Sequence, residues 1–141
     1  MRFAIVVSRF NPDVTNGLLT GAKKFLAGKK IKVTDDDIFA APGAFELPLI
    51  AKKLAAKKKY AGVICLGCVI KGDTMHFEFI SLAATMGILQ AGLETGKPIT
   101  FGVLTTLTDE QATVRSRSDS HNKGIEAAAA CWETASLLAA L

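Results

Sequence analysis

The stretch Gly62-Val63-Ile64-Cys65-Leu66-Gly67-Cys68-Val69-Ile70 decides the fold. It does not alternate between polar and apolar residues, and such a continuous apolar run predicts a strand buried on both faces. Strands of that kind belong to parallel sheets covered by helices on either side. Working outward, further β-rich runs lie at residues 3–8, 37–41 and 99–105. Helical patterns separate them. Leu18, Leu19, Ala22, Phe25 and Leu26 mark one, ended near Gly28, and a second covers residues 44–58. A third covers residues 76–93, ended by Gly96 and Pro98. Two more follow the last strand, over residues 108–117 and from Asn122 to the C-terminus. The expected class is α/β: three α/β/α layers around a four-stranded parallel sheet, with right-handed crossovers. One domain is expected to span all of residues 1–141.

Composition narrows the function. Half of the residues are apolar and 21% are charged, the mixture of a globular chain. No apolar run approaches the roughly 18 residues of a membrane span, so no membrane role is expected. The opening MRFAIVVSRFN is apolar only briefly and reads as a strand, not a secretion signal, which predicts the cytoplasm. The net charge of +4 raises the question of nucleic acid. Its lysines cluster at Lys23, Lys24, Lys29 and Lys30 and again at Lys52, Lys53, Lys57, Lys58 and Lys59. Both clusters lie on segments whose other face is apolar at helical spacing, so they read as solvated helix faces. One Trp and one Tyr leave few aromatics for stacking on bases, so no nucleic-acid partner is expected. Cys65 and Cys68 sit three apart on a predicted strand and point to opposite faces, which suits core packing rather than a redox pair or a metal site.

In open α/β sheets ligands bind outside the carboxyl ends of the strands. The segments there are Ser8-Arg9-Phe10-Asn11-Pro12, Ala41-Pro42-Gly43-Ala44-Phe45-Glu46, Val69-Ile70-Lys71-Gly72-Asp73-Thr74-Met75-His76 and Thr105-Thr106-Leu107-Thr108. Asp73 and Thr74 are candidates for a helix N-cap, whose free N–H groups favour an anion such as phosphate. His76 falls in the first turn of that helix, and an imidazole there could exchange protons. Glu46 is either a carboxylate that favours a helix start or a binder of substrate hydroxyls. Phe10 is either a core-edge residue or a platform for a flat heterocycle. Arg115, Arg117 and Lys123 surround a break between the last two helices, and an arginine facing a cleft there would suit a phosphate. Phosphate-loop, dinucleotide-fold, zinc-protease and nucleophile-elbow motifs are missing, so metal, nucleotide and hydrolase chemistry has no support in the sequence.

Together these segments resemble the 6,7-dimethyl-8-ribityllumazine synthase family. The resemblance lies in Val6-Val7-Ser8-Arg9-Phe10-Asn11, Pro42-Gly43-Ala44-Phe45-Glu46-Leu47-Pro48, Leu66 through Phe77, Phe101-Gly102-Val103-Leu104-Thr105-Thr106 and Asn122-Lys123-Gly124. It covers almost the whole chain in order. It implies a flavodoxin-like fold and a condensation of 5-amino-6-(D-ribitylamino)uracil with 3,4-dihydroxy-2-butanone 4-phosphate, with no metal and no cofactor. By position it implies that Phe10 stacks on the pyrimidine, and that Ala44, Phe45, Glu46, Cys68, Val69 and Ile70 hold the ring and ribityl chain. Asp73 and Thr74 would hold the phosphate end through backbone groups, and His76 would transfer protons. Phe101 and Arg115 would come from a neighbouring subunit, Arg115 binding phosphate, with Lys123 at the substrate's polar edge. A homo-oligomer of one or more pentamers is implied, with a riboflavin synthase as a candidate partner.

The sequence departs from the family pattern in three places. It begins almost on the first strand, where members carry a segment that can pair with a neighbour's sheet. Leu107 stands where members have an acidic residue. Ser116-Arg117-Ser118-Asp119-Ser120-His121 replaces the usual Ala-Gly-Thr-Lys stretch, a region that often governs assembly, so a pentamer or a pair of pentamers is expected. Two alternatives stay open: a riboflavin synthase of the same fold, and a catalytically weak cage protein that binds lumazine or flavin.

Overall fold

A computed structural model describes residues 1–141. Four strands form one parallel sheet: β1 (Phe3–Ser8), β2 (Ile38–Ala41), β3 (Gly62–Ile70) and β4 (Ile99–Thr106), in the order β2-β1-β3-β4. That order is the flavodoxin-like one, with its switch point at β1 and β3. The five helices are α1 (Pro12–Gly28), α2 (Leu47–Ala55), α3 (His76–Thr95), α4 (Asp109–Val114) and α5 (Lys123–Ala140).

Strand side chains alternate between two separate cores. Ile5, Ile64, Leu66 and Leu104 face α1 and α5, where they meet Leu18, Leu26, Ala128 and Cys131. Val6, Val63, Cys65 and Val103 face α2 and α3, where they meet Leu47, Leu54, Ala84 and Ile88. Three layers result, with β3 buried on both faces as its unbroken apolar run requires. Cys65 and Cys68 point to opposite sides and are free thiols. Burial pushes the Cys65 thiol well up, and that of Cys131 up to about 12. Both are therefore inert core residues.

Local chemistry moved several boundaries. Pro12 opens α1, where a missing N–H costs nothing. The second helix does not start at Ala44: residues Ala44–Glu46 form a 3-10 turn, and α2 begins after it with Pro48 in its first turn. It also stops at Ala55, and a turn then leads to Tyr60, which is buried in the core shared with α2 and α3. The second strand starts at Ile38, since Asp37 closes a capping box with Thr34. No helix is long and apolar enough to cross a membrane.

Candidate active site

The carboxyl ends of β1, β2 and β3 converge on a hollow of about 460 Å³. From β1 come Phe10 and Asn11. Asn11 adopts a left-handed conformation (φ 55°), which Asn tolerates better than most residues. Its Nδ2 donates to the Cys68 carbonyl at 3.2 Å, tying the end of β1 to the end of β3. This sharp turn leaves Phe10 67% exposed, its ring at the rim of the hollow rather than in the core.

From the β2 loop come Gly43, Ala44, Phe45 and Glu46. A Cβ at Gly43 would lie 3.2 Å from both the Phe10 ring and a Glu46 carboxylate oxygen. Glycine thus lets ring and carboxylate close together over bare backbone. Glu46 occupies the N-cap position of α2, yet its side chain makes no capping hydrogen bond. Its carboxylate is free to accept from a ligand's hydroxyls.

Cys68, Val69 and Ile70 end β3 and form an apolar wall. Burial, then the nearby Asp109 charge, pushes the Cys68 thiol up to about 11. It stays protonated at neutral pH and is no nucleophile. His76 is the first residue of α3, and Ile80, one turn on, completes the lining. The N-cap of α3 is Met75 rather than Asp73 or Thr74, although the Thr74 hydroxyl accepts the His76 N–H at 3.3 Å. Asp73 and Thr74 are exposed and stand outside the hollow. Beside them Lys71 hydrogen-bonds Glu78 and holds that carboxyl below its usual range.

Phe101, Arg115 and Lys123 lie elsewhere. They line a second hollow of about 390 Å³ along the open edge of β4, together with Thr105, Thr106 and His121. The Thr108 hydroxyl accepts the Gln111 N–H and starts α4. Arg115 ends that helix, its Nη1 donating to the Gln111 carbonyl at 3.0 Å. The Lys123 N–H donates to the Arg115 carbonyl at 2.9 Å, and Lys123 Nζ pairs with Glu126 at 2.8 Å. Within one chain, then, His76 and Arg115 belong to different hollows.

Reading the sequence alone placed Asn11 and Gly43 in the strand-end segments without giving them a role, and missed Ile80 as a lining residue. Asn11 carried a signal, an Asn directly before a proline-opened helix. Ile80 carried none, because an isoleucine on a helix reads as core.

The family model described as 6,7-dimethyl-8-ribityllumazine synthase matches residues 1–139. The chain belongs to the 6,7-dimethyl-8-ribityllumazine synthase family. Its relatives in that family include 6,7-dimethyl-8-ribityllumazine synthase 1 of Caulobacter vibrioides, 63% identical over 97% of this chain and 90% of that protein. The 6,7-dimethyl-8-ribityllumazine synthases of Syntrophus aciditrophicus and Desulfotalea psychrophila are each 49% identical, over 98% and 99% of this chain and 90% of their own lengths. The matched residues 1–139 span both hollows.

Proposed function

We propose that this chain, acting as one domain over residues 1–141, is a 6,7-dimethyl-8-ribityllumazine synthase. It condenses 5-amino-6-(D-ribitylamino)uracil with 3,4-dihydroxy-2-butanone 4-phosphate. An imine forms, phosphate leaves, the ring closes, and water is lost. The observation that carries this reading is the gathering of Phe10, Ala44, Phe45, Glu46, Cys68, Val69, Ile70 and His76 around one hollow. The Phe10 ring stacks on the flat pyrimidine, and the backbone of Ala44 and Phe45 with the β3 wall holds the ring. Glu46, with no capping bond to make, accepts from ribityl hydroxyls. His76 moves protons during imine formation and phosphate loss. Asp73 and Thr74 take the phosphate end through backbone groups at the start of α3. Holding both substrates in register supplies much of the acceleration.

Phosphate departure needs a cation, and the first hollow has none on its wall. Arg115 and Lys123, with Phe101, stand on the second hollow. We infer that the complete site forms between copies, one giving His76 and its neighbour giving Phe101, Arg115 and Lys123. Helix α3 supports such an assembly. Met75, Phe79, Leu82, Met86, Leu89 and Leu93 are all exposed and recur at alternating steps of four and three, an apolar seam suited to helix packing between copies. A pentamer or a pair of pentamers working in the cytoplasm, with a riboflavin synthase to consume the product, is the assembly and setting we assign.

Phosphate release on mixing purified protein with both substrates tests this reading. Protein-dependent release with lumazine appearing in step is expected. Release no faster than the uncatalysed background would overturn it.

A further inference from the structure

The segment joining α4 to α5 is fixed by one side chain. Asn122 is 2% exposed, and both ends of its amide are used. Its Nδ2 faces three backbone carbonyls: Arg117 at 2.8 Å, Gly17 at 3.1 Å and Ser116 at 3.2 Å. Its Oδ1 accepts the N–H groups of Gly124 at 2.8 Å and Ile125 at 3.2 Å, capping α5. One buried amide therefore joins α1, the 116–117 turn and α5. Helix α1 is hollowed to receive it: a Cβ at Gly21 would come 2.3 Å from Asn122 Oδ1, and one at Gly17 would come 2.3 Å from the Ser116 carbonyl. Arg115 and Lys123 bracket this clamp, and the Lys123 N–H closes onto the Arg115 carbonyl at 2.9 Å.

We propose that Asn122 is a positioning residue for the phosphate-bearing substrate, holding Arg115 and Lys123 on one wall by clamping residues 116 and 117 against α1. This rests on the reading that Arg115 binds the phosphate and Lys123 lies at the substrate's polar edge. Asn122 touches no substrate itself. It acts through its two donors, which fix the turn behind Arg115, while its acceptor serves the ordinary role of a helix cap. The two roles can be separated. Aspartate and serine both cap helices well, so Asn122→Asp and Asn122→Ser keep α5 capped. Aspartate, however, turns an acceptor toward three carbonyl oxygens, and the shorter serine cannot bridge to them.

The test is steady-state kinetics with each substrate varied separately, on wild type, both Asn122 variants, Arg115→Ala and the corresponding double variants. Both Asn122 variants are expected to raise KM for the butanone phosphate roughly tenfold, the scale of losing one or two buried hydrogen bonds. KM for the pyrimidine should stay within about twofold, and inhibition by inorganic phosphate should weaken by the same factor as the phosphate-substrate KM. In the Arg115→Ala background the effect of either Asn122 substitution should shrink to the part relayed through Lys123. The serine variant, which adds no charge, decides the matter should the aspartate variant not assemble. An unchanged KM for the butanone phosphate would overturn the proposal. So would parallel rises in both KM values, or an undiminished effect in the Arg115→Ala background. If Arg115→Ala alone leaves that KM unchanged, the phosphate site itself is misassigned and the clamp has nothing to position.

Discussion

The two ends of the sheet use polar residues in opposite ways. At the amino end every strand is preceded by a residue in one hydrogen-bonded network. Asp37, ahead of β2 and 1% exposed, accepts from Arg2 Nε at 2.7 Å, from the Tyr60 hydroxyl at 3.1 Å, and from the N–H and hydroxyl of Thr34 at 3.1 Å each. Lys97, ahead of β4, donates to the Lys57 and Tyr60 carbonyls. At the carboxyl end, Phe10 and Phe45 are exposed and Glu46 caps nothing. Buried polar groups that are fully paired specify and stabilise a fold. Groups left open around a hollow are available to a ligand. The difference assigns stability to one end and chemistry to the other.

The largest expected effect is at the carboxyl end. His76→Ala should lower kcat by about 10²- to 10⁴-fold, the usual share of general acid–base help, while thermal unfolding stays at the wild-type temperature. Loss of folding instead would show that His76 is structural. Next comes the amino end. Asp37→Ala leaves Arg2, Tyr60 and Thr34 without their acceptor and should cost about 3 kcal/mol in urea unfolding, with kcat per folded molecule unchanged. A matching fall in kcat would abolish the division between the two ends.

A smaller effect follows from acid. Burial pushes the Asp37 carboxyl up, but the bonds from Thr34, Arg2 and Tyr60 outweigh it and hold it below the usual carboxylate range. The folded state therefore binds this proton less readily than the unfolded chain. Its stabilisation is complete above the ordinary carboxylate range and lost as pH falls through the lowered value. Unfolding free energies measured across that window should slope less in Asp37→Asn than in wild type. Smallest of all, burial keeps the three thiols protonated, so iodoacetamide at pH 8 should label native protein negligibly and unfolded protein fully. Rapid labelling of the native chain would place a reactive group where only packing is seen.

Much of this was legible in the sequence, and what was not has local causes. The four strands could be read because each is an apolar run between helical patterns, and the two central ones, β1 and β3, are buried on both faces. The carboxyl-end rule then singles out Phe10, Glu46 and His76 from the sequence alone. Asp37 could not be recognised in advance, because it reads as the first residue of the second strand, and Arg2 and Tyr60, which close over it, lie 35 and 23 residues away. Asn122 was visible as a helix start and as part of the Asn122-Lys123-Gly124 segment, but its clamping role was not, since its donors go to carbonyls, and carbonyls leave no mark in a sequence. The separation of Arg115 from His76 followed from the family resemblance alone, because spacing does not reveal that β4 lies at the sheet's edge.

The central claim is that the His76 hollow of one copy works with the Arg115 hollow of the next. Co-refolding His76→Ala with Arg115→Ala subunits tests it directly. Each variant alone should be nearly inactive, and the mixture should regain activity at about a quarter of its junctions, those where an intact hollow of each kind meets. A mixture no more active than its two parents would contradict a site shared between copies.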